Sequence, residues 1–129
     1  MKANSGFEVD LYFSATNLQS KDSFSKSDPF LAMSMQQSMN GNVQPLGRTE
    51  SQPNTTYPTW NQKITAQYYF EFKQFVLLEV YDEDSTSKSQ FIGKCETNLG
   101  AIMGAHLQML QLDLVDHHGK IVGKITVRA

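Results

Sequence analysis

The feature that most limits the fold of this chain is a hydrophobic period of two that returns along its length. Phe7, Val9, Leu11 and Phe13 alternate with Glu8, Asp10, Tyr12 and Ser14. Successive side chains of an extended backbone point to opposite sides, so this is a strand with one buried and one wet face. Leu31, Met33 and Met35 repeat the pattern, as do Ile64, Ala66 and Tyr68, and the run QFVLLEVYD is apolar enough for a central strand. Leu110, Leu112 and Leu114 alternate again, and Ile121, Ile125 and Val127 are expected on the core face of a final strand. Turn chemistry separates these runs: NGN at Asn40 to Asn42, the stretch from Pro45 to Pro58, DSTSKS from Asp84, and HHGK around Gly119. Only NLGAIMGAHLQML, with Leu99, Ile102, Met103 and Leu107 near helical spacing, suggests a helix. About seven or eight short strands with at most one short helix define an all-β protein, a β-sandwich of two antiparallel sheets.

The length of 129 residues suits one domain with a real core. The loosest composition lies between Pro45 and Thr59, expected to be a long connection between strands. A net charge of −2 creates no global field for nucleic acid or membrane, so any such attraction must be local. Cys95 is the sole cysteine, which leaves no internal disulfide and fits a reducing, cytoplasmic setting. The N-terminus lacks the pattern of a secretory signal, no window approaches the ~20 apolar residues of a spanning helix, and Lys2 in place of Gly leaves a myristoyl anchor unexpected.

Acidic residues gather where strands end. KDSFSKSDPF places Asp22 and Asp28 on one irregular loop, and VYDEDSTSKSQFIG places Asp82 and Asp84 where the strongest strand leaves the sheet. Each aspartate alone reads as a turn residue, since Asp makes Asx turns and tolerates unusual backbone angles. Loops meeting at one rim of a sandwich would bring all four together, and like charges that close repel unless a cation sits among them. Calcium, with six to eight oxygen ligands in flexible geometry, suits such loops better than magnesium with its strict octahedron.

SKSDPFLAM, YPTWNQ, LLEVYDEDSTSKSQFIGKCETNLGAIMG and GKIVGKITVRA together resemble a C2 domain, most closely the first such domain of copines. The resemblance covers nearly the whole chain and implies an eight-stranded antiparallel β-sandwich with the phospholipase-type strand order. It implies that Asp22 and Asp28 from the first loop and Asp82 and Asp84 from the third hold calcium, with backbone carbonyls near Ser23, Glu83 and Lys88. The family's usual fifth acid falls on Gln90, a neutral oxygen donor, which weakens a second ion, and Ser87 matches a position that sometimes aids a third. The implied partner is an anionic phospholipid membrane, with Phe24 inserting shallowly and Lys21, Lys26 and Lys88 adding attraction once the acids are neutralised. A cytoplasmic monomer recruited to membranes on a calcium rise follows from that reading. The competing one is a calcium-independent module for protein partners, which uses the sheet edges or the Pro45–Thr59 connection.

The other conspicuous residues read as structural. Trp60 is expected to pack, Cys95 to be a buried small hydrophobe, Met33 and Met35 to line strands, and His117 and His118 to occupy an exposed turn. No nucleophile elbow, phosphate-cradling loop or His-Glu-x-x-His helix is present, so catalysis is not expected.

Overall fold

The computed structural model describes residues 6–19, 27–36, 41–83 and 89–129. Eight strands run in chain order: β1 Phe7–Thr16, β2 Pro29–Gln36, β3 Gln44–Arg48, β4 Ile64–Tyr68, β5 Phe75–Asp82, β6 Gln90–Asn98, β7 Met109–Val115 and β8 Ile121–Arg128. A five-residue helix α1, Leu99–Met103, and one 3₁₀ turn, His106–Gln108, separate β6 from β7. The hydrogen-bonded order is β3-β2-β5-β6-β7-β8-β1-β4, with every pairing antiparallel. β6 meets β7 at one rung only, Lys94 opposite Val115. The order therefore folds over at that seam into two four-stranded layers, β3-β2-β5-β6 and β7-β8-β1-β4. The last strand lies between β7 and β1, as the phospholipase-type order requires.

The period of two sets what each layer buries. Leu11, Phe13 and Ala15 of β1, Leu31 and Met33 of β2, Val76, Leu78 and Val80 of β5, and Ile125 and Val127 of β8 form one core with Trp60. The apolar run of β5 reflects its central place, for Phe75 and Leu77 on the opposite face are half-buried as well. The seam admits no side chain at Gly93, where a Cβ would lie 2.7 Å from Val122 Cγ2 and 2.8 Å from Leu114 Cγ.

Three local expectations are corrected. Ile121 is exposed and Val122 takes the core position, because a bulge lets Leu114 face Gly123 while Val115 faces Ile121. The helix stops before Leu107: Asn98 caps α1 by accepting the Ala101 N–H at 2.8 Å, Leu99 and Ile102 are buried, and Leu107 turns outward with φ 57°. The Pro45–Thr59 stretch is not one loose connection, since its start is the edge strand β3 and its remainder is fastened to the sandwich. Thr49, Gln52 and Thr55 donate backbone N–H groups to the carbonyls of Leu31, Pro29 and Ser27, and the carbonyls of Thr56 and Pro58 accept from Leu18 and Ala15. Trp60 follows, buried as expected, with its indole Nε1–H on the Pro29 carbonyl.

Candidate functional site

Because neighbouring strands alternate in direction, the end of β5 and the starts of β2 and β6 share one pole. Pro29, Asp82 and Gln90 stand opposite one another across β2, β5 and β6. Directly opposed residues project to the same face, so the Gln90 amide is the cross-strand neighbour of the Asp82 carboxylate. The backbone N–H of Asp28, just before β2, donates to Asp82 Oδ1 at 2.9 Å. The Asp28 carboxylate in turn accepts the Asn54 N–H at 2.6 Å, and the Asp28 carbonyl accepts the Glu83 N–H at 3.0 Å. Acids from two separate connections are thus fixed side by side through main-chain groups.

Of the residues expected at a metal site, Asp28, Asp82 and Gln90 are brought to this pole, and Glu83 adjoins them. The Glu83 side chain turns toward β3, accepting the Ser51 hydroxyl and lying 3.6 Å from the Arg48 guanidinium. Asp22, Ser23, Asp84, Ser87 and Lys88 lie outside the described residues, as do the expected membrane contacts Lys21, Phe24 and Lys26. Among the described residues no three His, Cys, Asp or Glu side chains converge. The side chains at this pole carry hard oxygens, two carboxylates and an amide, and the buried Ser27 Oγ beside Asp28 has no partner among the described residues. That set fits a cation of the calcium type rather than a thiophilic one.

Sequence reasoning missed several parts of this pole. Asn54 clamps Asp28, and its φ of 52°, like the 53° of Asn17, is the left-handed conformation that Asn tolerates best, a faint signal in hindsight. Glu50 organises the same connection: its carboxylate accepts the N–H groups of Asn61 at 2.8 Å and Gln62 at 3.0 Å and the Gln52 amide at 3.0 Å. Burial pushes that carboxyl up, yet the hydrogen bonds outweigh it and hold it below the usual glutamate range. Below the acids an aromatic row crosses the layer. Arg48 sits 4.0 Å above the Phe30 ring, Phe30 stacks on Tyr81, Tyr81 meets Phe91 edge-on, and Phe91 stacks on His117 at 4.3 Å. Burial, with the nearby Glu79 charge, pushes the Tyr81 phenol up.

His117 and His118 occupy the exposed β7–β8 turn, where Asp116 Oδ1 accepts the N–H groups of His118 and Lys120. Cys95 is buried, and desolvation pushes its thiol up to about 12. No helix among the described residues is long and apolar enough to cross a membrane.

A double-layered sheet in this order, with acids at the pole where β5 ends, defines a C2-type sandwich. The C2 domain family model matches residues 11–127, and the chain belongs to that family. It is similar to Copine-C of Dictyostelium discoideum, 33% identical over 128 residues that cover 94% of this chain and 23% of that protein. It is also similar to Protein BONZAI 1 of Arabidopsis thaliana, 28% identical over 136 residues, 89% of this chain and 23% of the relative. The chain thus spans about a quarter of the length of these relatives. The fold matches a C2 domain of plant Extended Synaptotagmin 1 with a TM-score of 0.78 at 19% identity, covering 97% of this chain and 93% of that one.

Proposed function

We propose that this C2 domain is a calcium-dependent, non-catalytic phospholipid-binding module that brings the protein carrying it to anionic membranes from the cytoplasm. The observation behind this reading is the Asp28 N–H bond to the Asp82 carboxylate, which seats acids of two connections at one pole. Asp28 and Asp82, with Asp22 and Asp84, the Gln90 amide and carbonyls near Ser23, Glu83 and Lys88, would hold the ion, and Ser87 would aid a further weak one. Calcium, when bound, supplies positive charge and coordination positions for lipid phosphate. Without it the acids repel an anionic leaflet. Once they are neutralised, Lys21, Lys26 and Lys88 add about 1 kcal/mol each near such a surface, and Phe24 inserts shallowly. Gln90 brings no charge, so the ion it would share is the weaker one. The domain acts as a monomer.

The test is sedimentation with phosphatidylserine vesicles. Binding is expected to require calcium and to weaken at high salt, and Asp28→Asn or Asp82→Asn is expected to abolish calcium heat in isothermal titration. Absence of calcium heat from the wild-type chain would end this reading.

A second reading, a calcium-independent module for protein partners, has one observation in its favour. The turn after β4, remote from the acids, exposes Phe70 (81%) and Phe72 (46%). No pelleting with or without calcium, together with capture of a protein that is lost on Phe70→Ser and Phe72→Ser, would favour it.

A further inference from the structure

Two large apolar side chains stand in solvent beside the acidic pole. Tyr57 is 59% exposed and Ile121 57% exposed, although each is followed by a buried residue, Pro58 and Val122. Neither owes its exposure to a loose backbone. The Tyr57 phenol donates to Asn17 Oδ1, its N–H donates to Thr55 Oγ1 at 3.0 Å, and the carbonyls on either side, of Thr56 and Pro58, accept from Leu18 and Ala15. Ile121 precedes Val122, whose carbonyl accepts the Gln19 N–H at 2.9 Å. The two residues therefore flank the same stretch, residues 15–19, where β1 leaves the sheet toward the acids. Next to Ile121 the β7–β8 turn exposes His118 and Lys120, while the Asp116 carboxylate is occupied with the N–H groups of that turn.

An aromatic ring with a polar tip, an aliphatic residue and an exposed lysine on one rigid rim is the composition that settles at a lipid–water boundary. The rim is continuous with the acidic pole, since Tyr57 lies three residues beyond Asn54, whose N–H holds the Asp28 carboxylate. We propose that Tyr57, Ile121 and Lys120 form a second lipid contact, so that the domain docks tilted onto its β1–β8 flank rather than upright on the acidic loops. The occupant is an anionic phospholipid surface, matched in charge by Lys120. This inference rests on the calcium-dependent docking proposed above.

Vesicles of phosphatidylcholine and phosphatidylserine, with calcium, test it. Tyr57→Ser and Ile121→Ser are each expected to weaken vesicle binding about tenfold, the effect of removing a half-inserted apolar side chain, and to leave calcium affinity without lipid unchanged. Lys120→Ala is expected to weaken it about fivefold at low salt. A second readout uses Ile121→Cys carrying an environment-sensitive dye, whose emission should shift to the blue on vesicles. Cys95 stays unlabelled because it is buried and protonated. A Tyr57→Ser/Ile121→Ser double variant that binds like wild type, or dye emission unchanged on pelleted protein, overturns the tilted contact while calcium-dependent docking stands. Failure of the wild-type chain to bind these vesicles overturns both.

Discussion

The indole of Trp60 donates its Nε1–H to the carbonyl of Pro29 across 3.0 Å, tying the end of the long connection to the first residue of β2. The same carbonyl accepts the Gln52 N–H, so three segments meet at one oxygen next to Asp28. Trp60→Phe removes the indole bond and opens a small void, and should destabilise the domain by about 2 kcal/mol. The urea midpoint measures this. An unchanged midpoint would mean that Gln52 alone secures Pro29.

Gln90 faces Asp82 across β5 and β6. Gln90→Asp therefore places like charges on directly opposed positions and should cost about 0.5 kcal/mol without metal. In calcium the order should reverse, with tighter binding in titration and a higher melting temperature than wild type. If calcium affinity is unaltered, position 90 does not face the ion.

Glu50 gives an acid-sensitive clasp. Its carboxyl is held low in the folded chain, so its contribution is present above the unfolded value of 4.5 and is lost as pH falls through the lower folded value. Amide exchange at Asn61 and Gln62, taken relative to the intrinsic rate at each pH, should quicken as the pH falls below 4.5, ahead of β5 and β8. Glu50→Gln should show the faster exchange already at pH 7.

Cys95 behaves in the opposite sense. Its thiol is raised from 9.0 to about 12, so it stabilises the fold fully below pH 9, and that contribution is lost as pH rises toward 12 while the unfolded thiol ionises. Urea midpoints at pH 8 and 10.5 should differ more for wild type than for Cys95→Ala. Iodoacetamide should label the native thiol at pH 8 only as fast as the chain unfolds.

The period of two made the strands legible because each layer buries one face: Leu11, Leu31, Met33 and Ile125 fell where alternation put them. It failed at Ile121, where the bulge opposite Leu114 shifts the register by one residue, and at Leu107, where apolar spacing continued past the helix that Asn98 starts and Gly104 ends. β3 escaped notice because it is an edge strand exposed throughout and contains Pro45 and Gly47, so it carries no alternation. At the pole, Asp28 and Asp82 were readable as acids at strand ends. Their fastening was not, because it runs through backbone N–H groups of Asp28 and Asn54 that no side-chain pattern encodes.

The missing Cβ at Gly93 has a consequence beyond its own strand. Val122 and Leu114 press against that bare backbone from the opposite layer, one residue from the lone rung between Lys94 and Val115. Even alanine there would drive into both side chains, and the two layers could not simply part to admit it, because the connection from Thr49 to Trp60 laces β2 to β1 on the far side.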